Sequence, residues 1–186
     1  MTASYTPFPL DGHAVTWQTW DGGAAESFDI RWENEGWTAS GIVGREAVQY
    51  VLRLNTSFQA RQFLLFRDLE EPDLWLATDG SSRWGEMNGA HRPDLDGCYD
   101  LLMTCTPFTW SLPIRRLPLL VGHAADITVA RVDVDKLEVL PEHQRYTRND
   151  THSWTVTLLD TGDSVTFDVD AHGLPLDVEG AFRRLE

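Results

Sequence analysis

The side chains that could carry acid–base, nucleophilic or metal chemistry are scattered along the chain. Asp168 and Asp170 share one face of a predicted strand and could mimic paired carboxylates, but a solvated strand face is the preferred interpretation. Cys98 and Cys105 lie in no nucleophile motif and form no Cys-x-x-Cys pair. The six histidines stand at positions 13, 91, 123, 143, 152 and 172, without metal-ligand spacing. The sequence therefore specifies no catalytic residue, no metal site and no cofactor.

The elements that would position any site are mostly strands. Apolar and polar residues alternate with period two over residues 48–55, 153–158 and 165–170, which is typical of antiparallel strands with one dry face. The Asp160–Asp163 turn between two of these runs predicts a hairpin. Residues 174–178 are a further strand candidate. Roughly ten short strands separated by turn signals predict a mostly-β fold, either a sandwich or a barrel.

Helix signals are few. A short helix is predicted over Leu112–Leu117, with Pro113 tolerated in its first turn and Pro118 ending it. Residues 58–69 fit either a helical face or a strand, and we favour the strand.

Aromatic residues are unusually frequent, at 11% of the chain. In a sheet that curls on itself, inward residues from many strands converge on one interior. The rings would then either fill a core, which is the simpler interpretation, or line a pocket for an apolar ligand. The eight tryptophans stand at positions 17, 20, 32, 37, 75, 84, 110 and 154.

Size and charge limit the classes of function. The 186 residues favour one domain. A net charge of −14 repels phosphate backbones and anionic membranes, so a nucleic-acid partner is not expected. No apolar run approaches the ~18 residues of a spanning helix, and the N-terminus lacks the features of a signal peptide. We therefore expect a soluble, cytoplasmic protein without stable membrane insertion.

Four ordered segments resemble a bacterial family called the putative glycolipid-binding proteins. They are Leu95-Asp-Gly-Cys-Tyr-Asp100, Thr106-Pro-Phe-Thr109, Leu112-Pro-Ile-Arg-Arg-Leu117 and Gln144-Arg-Tyr146. The resemblance extends more weakly over nearly the whole chain. It implies one domain over residues 1–186, a strongly curved antiparallel sheet that forms an incomplete β-barrel with one or two short helices at its mouth. One departure is Trp110, which stands where the resemblance implies an asparagine.

A carrier of this kind needs an apolar cavity and a few polar groups at its mouth. Arginine can form two-pronged hydrogen bonds to carboxylate, phosphate or sugar oxygens. The predicted ligand-binding residues are Trp84, Asp100, Arg115, Arg116, Gln144, Arg145 and Tyr146. In the alternative, structural interpretation, Arg115 and Arg116 pair with Asp96 or Asp100 and tie the short helix to the sheet.

The leading hypothesis is that the protein binds a lipid or glycolipid-like amphiphile in the concave cavity of the half-open barrel without transforming it. A second hypothesis is a small-molecule enzyme that uses the same cavity, with Arg115, Arg116 or Asp100 polarising the substrate. A third is an interaction module with a solid core. The sequence leaves the oligomeric state open.

Overall fold

The structure, a computed structural model, describes residues 5–44, 47–68 and 70–185. Within them, helix α1 spans Ser111–Arg116 and directly follows a 3-10 turn at Phe108–Trp110, while another 3-10 turn spans Pro93–Leu95. The strands are β1 (His13–Thr19), β2 (Ala25–Glu33), β3 (Gly36–Val43), β4 (Val48–Leu54), β5 (Ala60–Phe66), β6 (Leu74–Thr78), β7 (Trp84–Glu86), β8 (Asp100–Met103), β9 (Ala124–Asp133), β10 (Glu138–Arg148), β11 (Ser153–Leu158), β12 (Ser164–Asp168) and β13 (Phe182–Arg184).

Eight strands form the larger of two sheets, in the order β13-β1-β2-β3-β4-β5-β6-β7, which we call the large sheet. Its neighbouring strands run antiparallel, and β4 shows the predicted alternation, because Tyr50, Leu52 and Leu54 are buried while Gln49 is exposed. The ambiguous run at residues 58–69 contains β5, which confirms the strand interpretation; Leu69 lies outside the described residues. Within the described residues the end strands β13 and β7 do not pair with each other, so the barrel stays open.

Five strands form the small sheet, in the order β12-β11-β10-β9-β8. Its pairs are antiparallel except for β8 and β9, which run parallel. The mostly-β, half-open architecture is as predicted, but it is built from two sheets and includes this parallel pair. β8 and β9 can run parallel because the chain between them is long and passes through α1. Parallel neighbours need such a crossover, whereas a tight hairpin gives an antiparallel pair.

The segment of residues 108–116, called here the wedge, packs between the two sheets. Phe108 and Leu112 belong to the larger core cluster, which joins the large sheet to one side of β8 and β9 of the small sheet. Within this cluster the ring centroids of Phe28 and Phe108 are 4.4 Å apart. Ile114 belongs to the core of the small sheet, and Trp110 packs against that core. Residues four apart share one side of a helix, so the wedge offers one apolar side to each sheet.

The concave side of the large sheet is filled by side chains. Inward residues from β1, β4 and β5, such as Trp17, Leu52 and Phe63, are fully buried and share one cluster with Phe108 and Leu112 of the wedge. This arrangement favours core packing as the role of most inward rings.

The helix α1 has 6 residues, and no helix in the described part of the chain is long and apolar enough to cross a bilayer.

Close packing inside the large sheet gives a first prediction. Gly41 of β3 lies opposite Tyr50 of β4, and a Cβ atom at Gly41 would overlap the Tyr50 ring. Because Tyr50 is buried and its hydroxyl is held by Glu26, the ring has little room to move. We expect Gly41→Ala to lower the free energy of unfolding by about 1–3 kcal/mol, as overpacking of a core does.

Urea denaturation would measure this change, with Gly85→Ala as the matched control. A Cβ atom at Gly85 would lie 3.5 Å from the Ala90 carbonyl oxygen, an ordinary contact, so that variant should unfold like the parent. Equal stability of the Gly41→Ala variant and the parent would contradict the packing described for Tyr50.

Candidate functional site

A pocket of about 250 Å³ lies on the face of the small sheet that packs against the wedge, and we call it the small-sheet pocket. The register explains its composition, because Gln144 of β10 lies opposite Leu158 of β11, and paired residues of an antiparallel ladder project to the same face. Its apolar wall consists of Leu102, Trp110, Val156, Leu158 and Val165. Its polar lining consists of Arg131, Glu142, Gln144, Asp163 and Ser164.

Arg131, Glu142 and Gln144 form a row at the polar end of this pocket, joined by one ion pair and one hydrogen bond. Gln144 is fully buried, and its Nε2 donates a hydrogen bond of 2.7 Å to Oε1 of Glu142. The other carboxylate oxygen of Glu142 lies 3.4 Å from Nε of Arg131. The carboxylate can only accept, so it fixes the Gln144 amide with Nε2 towards Glu142, and Gln144 Oε1 is left buried without a partner.

Tyr146 is the next inward residue along β10, and its phenol is also buried without a hydrogen-bond partner. Burial, with the nearby carboxylates of Asp100 and Glu142, raises the pKa of Tyr146 well above its usual value. Buried polar atoms are nearly always hydrogen-bonded in native proteins. The Tyr146 hydroxyl and Gln144 Oε1 are therefore two buried polar atoms of the small sheet that are still free to form a hydrogen bond.

Asp100 of β8 and Arg116, the last residue of the wedge, form an ion pair. Asp100 is buried, and its two carboxylate oxygens accept hydrogen bonds from Nε and Nη2 of Arg116. Burial raises the pKa of Asp100, while the guanidinium of Arg116 acts in the opposite direction. The pair joins α1 to β8, as the structural interpretation of the arginines expects. Arg116 also borders a second pocket of about 400 Å³, with Tyr99 and Ile127.

Arg115 lies on a different side of the wedge from Arg116. Its guanidinium carbon is 4.4 Å from the ring centroids of both Phe8 and Phe58, and it donates hydrogen bonds to the carbonyl oxygens of His172 and Thr6. Burial lowers the pKa of Arg115 to about 10. The side chain therefore ties the segment at Thr6–Phe8 to the wedge, away from the small-sheet pocket.

Arg145 and Trp84 also lie apart from the pocket. Arg145 points to the opposite, solvent-facing side of β10, where it pairs with Asp126 at 2.6 Å and 2.9 Å. Trp84 is buried in the core of the large sheet, and its indole nitrogen donates to the carbonyl of Cys98 at 2.9 Å. The structure thus brings Asp100, Arg116, Gln144 and Tyr146 together in one region and leaves Trp84, Arg115 and Arg145 outside it.

Sequence reasoning missed every lining residue of the pocket except Gln144. Period-two alternation through Gln144 and Tyr146 also puts Glu142 on the inner face, so this residue could have been found from the strand pattern. Arg131 requires the pairing of β9 with β10, which the sequence does not show. Trp110 forms part of the apolar wall and packs against Phe167, with ring centroids 5.2 Å apart.

These features define a class of protein: a half-open β-barrel of two sheets, with a helical wedge between them and a small pocket that has an apolar wall and a polar end. The chain belongs to the family described as "Putative glycolipid-binding", which matches residues 14–184 and confirms the resemblance carried by the motifs. Its fold is similar to the crystal structure of a DUF1089 family protein from Pseudomonas aeruginosa, with 27% sequence identity and a TM-score of 0.71 over 98% of this chain and 97% of that chain. Comparison with curated proteins finds no match.

Proposed function

We propose that the protein binds a lipid or glycolipid-like amphiphile in the small-sheet pocket without transforming it. The observation that carries this proposal is the pairing of an apolar wall with a polar end whose buried acceptor, Gln144 Oε1, has no partner. Ligand pockets are mostly apolar with a few placed polar groups, which matches an amphiphile. The family description supports the same class of ligand.

This location differs from the one expected from the sequence. From the sequence, the ligand is expected on the concave side of one bent sheet, but on the large sheet that side is filled by buried side chains and by the wedge. The small-sheet pocket lies on the other side of the wedge. We therefore propose Gln144 as a direct contact and Asp100, Arg116 and Tyr146 as buried polar groups next to the pocket but outside its lining, with Trp84, Arg115 and Arg145 outside the site.

The size of the pocket limits the ligand. Its volume of about 250 Å³ is just below the ~300–1,000 Å³ typical of small-molecule sites. A short-chain amphiphile fits this space, whereas a longer lipid would insert only part of one chain and leave the remainder outside. Affinity should therefore rise with chain length only until the apolar wall of Trp110, Val156 and Val165 is covered.

A blocking substitution tests this proposal. Val165 of β12 lines the pocket and is only half-buried, so Val165→Trp should fill the pocket without disrupting a core position. We expect binding of a short-chain alkyl glucoside to weaken at least ~10-fold, because a large ring would occupy the space of the alkyl chain. Isothermal titration calorimetry below the micelle concentration would measure the dissociation constant.

Thr166→Trp is the matched control. Thr166 is adjacent on the same edge strand but exposed on the opposite face, where its hydroxyl bonds that of Thr155. This variant should bind like the parent. The proposed function is wrong if both tryptophan variants bind as tightly as the parent, or if the parent binds no amphiphile at any chain length.

A further inference from the structure

We propose that the small-sheet pocket selects amphiphiles whose head group donates hydrogen bonds and carries no negative charge, an inference that rests on the proposed function of this pocket. The selected head groups are uncharged polyols and protonated amines, while phosphate and carboxylate head groups are rejected. This selectivity is inferred from the polar atom that remains unpaired at the pocket, from the sign of the charges around it and from the partners of the nearby arginines.

The polar atom that has no hydrogen-bond partner at the pocket is an acceptor. Glu142 holds the Gln144 amide through a 2.7 Å hydrogen bond from Nε2, so the unpartnered atom of Gln144 is an acceptor, Oε1. A ligand hydroxyl or ammonium can donate to this atom, whereas a carboxylate or a phosphate dianion, the main form of a phosphate monoester above pH ~6, only accepts. An anionic head group would therefore leave Oε1 buried and unsatisfied, which is the costly outcome for a buried polar atom.

The charged side chains at the pocket are mostly acidic. Arg131 is the basic residue in the pocket lining, and it already faces two carboxylates, Glu142 at 3.4 Å and Asp133 at 3.8 Å. Asp163 adds another carboxylate to the lining. Lys136 lies 3.9 Å from Asp133 but outside the pocket lining, and the groups together still leave an excess of negative charge at the pocket. The net charge of −14 on the whole chain has the same sign. Like charges brought together in a partly buried site are strongly disfavoured.

The arginines predicted from the sequence to bind carboxylate, phosphate or sugar oxygens of a head group have other partners in the structure. Arg116 is held by the two carboxylate oxygens of Asp100, and Arg115 lies between the rings of Phe8 and Phe58 on the other side of the wedge. Arg145 pairs with Asp126 on the outer face of β10. None of these three guanidiniums offers an uncompensated positive charge to a ligand in the small-sheet pocket.

Three amphiphiles with the same short alkyl chain test the proposal: an alkyl glucoside, an alkylammonium and an alkyl phosphate. Calorimetric titration at neutral pH, below the micelle concentrations, should give an alkyl phosphate at least ~10-fold weaker than either of the others. Added salt should narrow the difference between phosphate and ammonium, because it screens charge. The glucoside donates hydrogen bonds but has no charge, whereas the alkylammonium donates and is also a cation. Comparing these two ligands separates the need for a hydrogen-bond donor from the electrostatic attraction of a cation.

Glu142→Gln provides the mutational test, with Glu138→Gln as the control. Both changes remove one negative charge from β10, but Glu138 is exposed at the start of the strand and outside the pocket lining. Glu142→Gln should improve alkyl phosphate binding several-fold, whereas Glu138→Gln should leave it unchanged. An equal effect of both variants would mean that only the total charge matters, which overturns the proposal.

The outcomes also separate this inference from the proposed function. If the alkyl phosphate binds the parent as tightly as the glucoside, and Val165→Trp abolishes that binding, the pocket binds amphiphiles but the head-group preference is wrong. If no amphiphile binds the parent in a manner that Val165→Trp weakens, the proposed function is wrong and the head-group inference falls with it.

Discussion

Replacing Glu26 by glutamine is expected to stabilise the protein by about 3 kcal/mol at pH 8 but by less than about 1 kcal/mol at pH 5. Glu26 lies on the inner face of β2 and is 2% exposed. Its Oε1 accepts a 2.5 Å hydrogen bond from the hydroxyl of Tyr50, and its Oε2 has no partner. Glutamine keeps the size and the acceptor for Tyr50 but never ionises.

The direction follows from burial, which raises the pKa of Glu26 from 4.5 to about 7, although the hydrogen bond from Tyr50 and the nearby Thr106 hydroxyl oppose the change. The folded protein therefore binds this proton more tightly than the unfolded chain does. The resulting stabilisation is fully present below pH 4.5 and is lost as the pH rises through about 7. The difference between the two pKa values corresponds to about 3 kcal/mol.

Chemical denaturation at several values between pH 5 and pH 8 would measure the effect. The stability of the parent should fall across this window relative to that of Glu26→Gln. The control Glu138→Gln removes an exposed carboxylate and should follow the parent. A constant difference between Glu26→Gln and the parent over the whole window would show that Glu26 ionises normally in the folded protein.

Removing Arg116 is expected to be strongly destabilising. Arg116→Met leaves the carboxylate of Asp100, which is 1% exposed, without its partner. Loss of one member of a buried pair costs roughly 3–5 kcal/mol, and the lower end is expected because the Arg116 side chain is 18% exposed. Replacing both residues, as in Asp100→Leu with Arg116→Met, should recover most of the loss, since no uncompensated charge remains.

Urea denaturation of the two single variants and the double variant, analysed as a double-mutant cycle, isolates this coupling. The comparison pair is Arg145 with Asp126, which has good geometry but whose side chains are each 50% exposed. Arg145→Met should change stability little, because exposed ion pairs are screened by water and salt. A loss in Arg145→Met as large as that in Arg116→Met would contradict the role given to burial.

Much of the strand content could be predicted from local pattern. The runs at residues 48–55 and 153–158 correspond to β4 and β11, and the run at residues 165–170 overlaps β12. The prediction of a strand at residues 174–178 is wrong, because that segment forms only isolated bridges at Pro175 and Val178. Pro175 has no N–H to donate, so the segment cannot sustain a ladder there.

The candidate site could be predicted only in part. Gln144, Arg145 and Tyr146 form one motif in the sequence, yet strand geometry turns Arg145 to the outer face and leaves the other two inside. Arg115 and Arg116 are likewise neighbours, but successive helical residues point about 100° apart, so one meets Phe8 and the other meets Asp100. Residues that are neighbours in these two motifs therefore do not all lie in the same site.

The sequence by itself determined the alternating faces of the strands and the proline-bounded helix, because each depends on residues close together in the chain. It also determined membership of the family, through the order and spacing of the motifs at residues 95–146. Only the tertiary structure decided which concave surface is filled and which keeps a pocket. That choice depends on the wedge at residues 108–116, which packs Phe108 against Phe28 of the large sheet and Trp110 against Phe167 of the small sheet. Such contacts join residues far apart in sequence, and no local pattern encodes them.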